Sequence, residues 1–260
     1  MPEVILKYVY LINNPDKVFL VCDLDEGRTF ADPLKVFDFP EYDIYNVNEQ
    51  GLYAMGGNLD IETLIQSYKW GIFPWFPYKG STEADWYCPR QRYVIFPEKI
   101  HVSHSLRNLL NKNKYFITIN QAFREVIHNC RMVGGRNENE LAWLGDEIEQ
   151  RFIELNELGY AKSVEVWEGE ALVGGFYGFW HNGVLQGDSM FSLRPSASQI
   201  GLILLCRHGS IEAKKIKFID TQFENSTFKR LGGEYISYQK YREIMDHREK
   251  RYMKNNTTQS

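Results

Sequence analysis

Residues 162–192 read KSVEVWEGEALVGGFYGFWHNGVLQGDSMFS. Three runs rich in β-branched and aromatic residues, 162–167, 171–180 and 184–192, are separated by EG and HNG, turn signals that join antiparallel strands. Before the meander, the apolar spacing predicts helices at 104–110, at 120–130 with Asn120 as cap, and at 146–158, ended by Gly159. After it, a helix at about 197–214, capped by Ser196, leads to the strand KFIDTQF (217–223). Helices, a meander, a helix and a further strand predict an α+β sandwich.

Upstream, VILKYVYLI (4–12) and VFLVC (18–22) read as a hairpin, and 27–50 as a loop. Residues 60–70 form a helix that Asp60 can cap. GIFPWF (71–76) follows it. Pro74 lacks an amide donor, which places this aromatic run on a connection, as pocket wall or junction plug. Residues 77–90 are turn-rich, and a new rhythm starts near 96. The expected organisation is an N-terminal domain at 1–95 with an extra hairpin over about 1–30, a catalytic domain at 96–248 and a polar tail at 249–260.

The chain has 260 residues, 43% hydrophobic and 25% charged, with a net charge of −4. That is ordinary globular composition and argues against a generic nucleic-acid binder, though not against a local basic patch. Arg107, Lys112 and Lys114 form one basic cluster; Arg207, Lys214, Lys215 and Lys217 a second; Lys229 and Arg230 a third. Such clusters suit phosphates. No apolar run is long enough for a membrane span, the N-terminus lacks a leader pattern, and the scattered Cys22, Cys88, Cys130 and Cys206 read as reduced thiols of a cytoplasmic protein. His101 and His104 have no ligating companions, so no metal is expected. No P-loop or nucleophile-elbow pattern occurs.

Strand alternation puts Asp220 and Gln222 on one face, about 7 Å apart. It also groups Gln186, Asp188 and Met190. Carboxylates beside an amide can steer a proton and polarise a carbonyl; a solvated sheet face is the plainer alternative. Gly174, Gly175 and Gly178 mark a bulge or a close approach.

GLYAMGGNLDIETLIQSYKWGIFPWF, LGYAKSVEVWEGEALVGGFYG, GDSMFS and KFIDTQFEN, in that order, resemble the leucyl/phenylalanyl-tRNA–protein transferase family. The resemblance runs from about Phe39 to Tyr241. It implies a small N-terminal α/β domain packed on a domain like the Gcn5-related acetyltransferases (GNAT). It implies an aminoacyltransferase that moves Leu, Phe or, in some members, Met from charged tRNA to the N-terminal Arg or Lys of proteins. That product is an N-degron. Neither cofactor nor metal is implied, and a monomer is expected.

The same resemblance implies residue roles. Asp220 and Gln222 match the catalytic pair, and Asp188, where the family usually has Glu, would receive the cationic acceptor. Phe176, Leu185 and Met190 would line an aminoacyl pocket. Tyr68, Trp75 and Trp143 would flank the terminal adenosine and the pocket mouth, with Arg107, Lys112, Lys114, Lys214 and Lys215 holding tRNA. This chain departs from the family's usual residues at Phe176, at Ser196–Gln199 and at Thr227–Gly232. Two other readings compete: an acyl-CoA-dependent N-acetyltransferase, for which RPSASQIG offers only a late Gly201, and a non-catalytic tRNA- or degron-binding protein.

Overall fold

The meander folds as β8 (Ala161–Glu168), β9 (Ala171–His181) and β10 (Val184–Ser192), all antiparallel. Asn182 and Gly183 both take positive φ, 50° and 83°, as the tight turn between β9 and β10 requires. The computed structural model describes residues 5–11, 14–23, 47–56, 59–75, 84–133, 145–208 and 211–246. Residues 27–46 of the loop expected at 27–50, residues 134–144 with Trp143, and the tail at 249–260 lie outside the described residues.

Two compact units divide the chain, Met1–Arg90 with Gly135–Leu155, and Gln91–Gly134 with Asn156–Ser260. The boundary between these units falls at 90/91, and Gly135–Leu155 goes with the first unit.

The first unit holds an antiparallel sheet of order β2-β1-β3-β5-β4. Its strands are β1 (Ile5–Leu11), β2 (Asn14–Asp23), β3 (Leu52–Gly56), β4 (Phe73–Trp75) and β5 (Asp85–Tyr87). The expected hairpin is β1–β2. The FPW run, expected on a connection, is instead the edge strand β4. An edge position tolerates Pro74, since only one side of the strand must donate. Helix α1 (Ile61–Lys69) is capped as expected, the Asp60 carboxylate accepting the Thr63 N–H at 2.9 Å.

The second unit holds a mixed sheet of order β12-β6-β11-β10-β9-β8-β7. Its remaining strands are β6 (Gln91–Ile95), β7 (Tyr115–Ile119), β11 (Phe218–Gln222) and β12 (Glu234–Ser237). β10 and β11 pair in parallel, joined through α5 (Ala197–Arg207) and α6 (Ile211–Lys214). Ile95, Leu185, Ile219, Ile200 and Ile203 belong to one buried cluster between the sheet and α5. Fully burying one such side chain is worth about 1.5–3 kcal/mol.

Two caps differ from expectation. Helix α3 (Phe123–Met132) starts after Ala122, and Asn120 has φ 58°. No side chain caps it; the fully buried Glu165 carboxylate of β8 instead fixes the approach to the helix, accepting the N–H of Gln121 and Ala122, each at 3.2 Å. Thr118 and Ser163 hydroxyls complete that carboxylate's shell at 2.5 Å each. Ser196 takes φ 62° without a capping bond, and the Ser192 hydroxyl accepts the Ser198 N–H at 3.0 Å in its place. Both helices begin beside a strand that supplies a better placed acceptor. Helices α2 (His104–Asn111), α4 (Asp146–Glu157), α7 (Ser226–Arg230) and α8 (Tyr238–Asp246) complete the described elements.

Candidate active site

The β10–β11 ladder fixes the site. Leu185 lies beside Ile219, and Gln186 beside Asp220, at the end of the regular pairing. Alternation puts each pair on its own face. Leu185 and Ile219 join the α5 core with Phe176, and Met190, paired with Phe176, packs against it. Gln186 and Asp220 stand on the opposite face, both fully buried. The structure thus gathers Phe176, Leu185 and Met190 into one apolar cluster and sets Asp220 across the sheet from it.

Two residues beyond Gln186 and Asp220, both strands lose regularity. β10 bulges between Gly187 and Ser189, so that Asp188 is the extra residue opposite Gly178 and Tyr177. β11 is irregular between Asp220 and Gln222, and Gln222 takes φ 65°. The simple alternation expected for Gln186, Asp188 and Met190, and for Asp220 and Gln222, therefore breaks at Asp188 and at Gln222. A bulge re-aims side chains, and left-handed backbone on a non-glycine residue carries strain that its surroundings must offset.

Those surroundings centre on Asp220. Its Oδ1 accepts the Gln222 N–H at 2.8 Å, which holds the left-handed turn. Oδ1 also accepts from Arg92 Nε at 3.3 Å, and Oδ2 forms the close ion pair with Arg92 Nη2. Arg92 is itself fully buried on β6, with its guanidinium 4.9 Å from the centre of the Tyr241 ring. A buried carboxylate needs such a cation and a full set of donors. Next door, the Thr221 hydroxyl donates to the Tyr93 carbonyl at 2.9 Å. Arg92 is the residue that sequence reasoning missed. The signal was an arginine directly before the apolar run YVI in the strand QRYVI, opposite a strand carrying a lone aspartate.

The other candidates divide by unit. Tyr68 is fully buried in the first unit, edge-on to Phe152 with ring centres 6.0 Å apart. Trp75 is 40% exposed there and meets the Tyr87 ring edge-on at 5.5 Å. In the second unit Arg107, Lys112, Lys214 and Lys215 are exposed, and Lys114 reaches Glu168 at 3.0 Å. No group of three or more potential metal ligands occurs among the described residues. Burial pushes the Cys206 thiol up to about 12, which leaves it no nucleophilic role at neutral pH. No helix among the described residues is long and apolar enough to cross a membrane.

Comparison with known proteins gives this geometry a context. Residues 94–246 match the family model described as leucyl/phenylalanyl-tRNA protein transferase, and 57–90 match the model of that protein's N-terminal domain. The interval between the two matches contains the boundary between the units at 90/91. A leucyl/phenylalanyl-tRNA–protein transferase of Flavobacterium psychrophilum is 40% identical over 190 residues, covering 72% of this chain and 88% of that protein. That of Psychrobacter cryohalolentis is 37% identical over 215 residues, covering 77% and 76%. That of Edwardsiella ictaluri is 38% identical over 205 residues, covering 79% and 81%. With the larger family match spanning more than half of the chain and relatives alike over most of their own length, the chain belongs to the leucyl/phenylalanyl-tRNA–protein transferase family.

Proposed function

We propose that this aminoacyltransferase attaches Leu, Phe or Met from charged tRNA to the N-terminal Arg or Lys of proteins, with chemistry at the irregular end of the β10–β11 ladder. Membership of the family makes the chain an enzyme that transfers an aminoacyl group from tRNA to a protein N-terminus. The observation that carries the residue assignment is the buried Arg92–Asp220 pair, which fastens the Gln222 backbone in its left-handed turn.

The aminoacyl ester is already activated, so the main task is to present an amine to it. An α-amino group, which ordinarily titrates at about 7.7–8.0, is partly neutral near pH 7. Gln222 is the group of the pair that meets this amine, its amide oxygen accepting an N–H and aiming the lone pair at the ester carbonyl. Asp220, with both oxygens engaged, acts through Gln222 as a positioning residue. A new amide bond forms, the ester bond breaks, and the ribose hydroxyl of the terminal adenosine departs with the proton the amine loses. Asp188, in the bulge, receives the cationic end of the acceptor.

Phe176, Leu185 and Met190 form the wall that selects an apolar aminoacyl side chain. Such a wall separates side chains one methylene apart by about 1–3 kcal/mol and rejects charged ones more strongly. In the first unit, Trp75 offers an exposed ring for stacking the terminal adenosine, while the buried Tyr68 braces that unit. Arg107, Lys112, Lys114, Lys214 and Lys215 supply cations for the tRNA backbone. The second unit is read as GNAT-like, and the product as an N-degron made by a cytoplasmic monomer.

Purified protein incubated with Leu-tRNA, Phe-tRNA or Met-tRNA is expected to label peptides beginning with Arg or Lys, and no others in a panel of all first residues. Labelling with acetyl-CoA alone would establish the acetyltransferase instead. Binding of charged tRNA without labelling of any acceptor would establish a binding protein.

A further inference from the structure

The sequence YQKYREIMD of α8 spaces Tyr238, Tyr241 and Met245 by three and four residues, which puts them on one helical face, and all three are buried. Phe218 and Asp220 share a face of β11. The Tyr241 ring meets the Phe218 ring there, with centres 5.4 Å apart, and the Tyr238 ring stacks beside it at 6.1 Å with planes at 16°. Tyr241 also lies 4.9 Å from the Arg92 guanidinium. A fully buried ring is thus wedged between two other rings and the cation that holds Asp220.

The end of α8 is fastened from both strands that carry the site. Lys217, one residue before β11, donates from Nζ to the Ile244 carbonyl at 2.5 Å. Asn182, in the turn before β10, donates from Nδ2 to the Met245 carbonyl at 3.1 Å. These carbonyls belong to the last turn of the helix, whose acceptors have no partner inside it. A lysine there also meets the negative end of the helix dipole. The Lys217 N–H donates to the Gly183 carbonyl at 2.6 Å, so the turn and the strand are tied to each other as well.

Arg92 engages both Asp220 oxygens, through Nε and Nη2. A two-point pair of this kind depends on the plane of the guanidinium, which the flexible arginine stem does not set. An aromatic face sets it, and attracts the cation most strongly where water is excluded. We infer that Tyr241 is a positioning residue for aminoacyl transfer: its ring sets the plane of the Arg92 guanidinium and, through Asp220, the left-handed turn that aims Gln222. Helix α8 is then a brace of the site, held in place by Lys217 and Asn182. This rests on the reading of Gln222 as the group that meets the acceptor amine.

The test is steady-state transfer by the full chain from Phe-tRNA to a peptide beginning with Arg, with solvent exchange of the Arg92 Nε proton followed by NMR on the same preparations. Tyr241→Leu is expected to lower kcat about tenfold and to speed that exchange about tenfold, while the KM values for tRNA and peptide change less than about twofold. Tyr241→Phe keeps the ring and is expected to retain at least about half of the parent kcat. A ring-fluorinated phenylalanine at position 241 keeps the shape of Tyr241→Phe but weakens the negative face. It is expected to lower kcat about threefold relative to Tyr241→Phe, and it decides the matter if Tyr241→Leu does not fold. Packing alone would not separate these two rings. A kcat and an exchange rate indifferent to Tyr241→Leu or to fluorination would overturn the positioning role and leave the transferase reading intact. Faster exchange with kcat unchanged would overturn it too, and would remove the Arg92–Asp220 pair from the reaction. No transfer by the parent chain to any acceptor would overturn the transferase reading and this role with it.

Discussion

Arg92→Met is expected to lower the melting temperature of the larger unit by about 10 °C, a loss of about 3–5 kcal/mol. The reason is what the substitution leaves behind. Asp220 is fully buried, and Arg92 is its ion-pair partner. Without the guanidinium, a carboxylate on the inner sheet keeps the Gln222 amide but loses that cation, and an uncompensated buried charge is far more costly than a missing favourable pair. Arg92→Met combined with Asp220→Leu removes both charges and is expected to recover most of the lost stability. It is not expected to recover activity, because the bond that holds the Gln222 turn is gone. Thermal unfolding followed by circular dichroism measures both. A single Arg92→Met variant melting within 2 °C of the parent, a shift worth about 1 kcal/mol or less, would remove the pair from its structural role.

The second large effect comes from a residue with no side chain. A Cβ on Gly178 would stand 1.9 Å from the Gln186 carbonyl oxygen and 2.8 Å from its carbon, both backbone atoms. Gly178 pairs with Gly187 immediately before the Asp188 bulge, so a side chain there has no room where β10 must bend. Gly178→Ala is therefore expected to cost about 3 kcal/mol or more, and to yield protein that is largely insoluble or melts early. Gly145→Ala makes the control: a Cβ there meets nothing within 4 Å, and a change within about 0.5 kcal/mol is expected. Equal melting of Gly178→Ala and the parent chain would mean that β9 and β10 are not held this closely.

The meander and most of the helices were legible because their signals are local. Period-two runs broken by EG and HNG specify hairpins, and the Asp60 cap needs only its own first turn. Strands β5, β6, β7 and β12 escaped, being three to five residues long and defined by partners far along the chain. The caps of α3 and α5 failed for a related reason. Glu165 and Ser192 reach those helix starts from neighbouring strands, and no sequence window holds both parties. Within the candidate site, the types and order of Asp188, Asp220 and Gln222 could be read, but their faces could not. Strict alternation is a rule for regular strands, and both strands turn irregular at the residues of interest. The partnership of Arg92 with Asp220 spans 128 positions and had only a compositional trace.

The claim on which the account depends is that the Gln222 amide, fixed by the Arg92–Asp220 pair, presents the acceptor amine to the aminoacyl ester. The most direct measurement is the single-turnover rate of transfer from Phe-tRNA to an Arg-initiated peptide, both saturating, for Gln222→Ala against the parent chain, with tRNA affinity measured on the same preparations. A misplaced reacting group can lower a rate by about 100-fold, and a fall of that size is predicted with tRNA affinity unchanged within twofold. A Gln222→Ala rate within threefold of the parent would contradict the account and place the chemistry elsewhere in the chain.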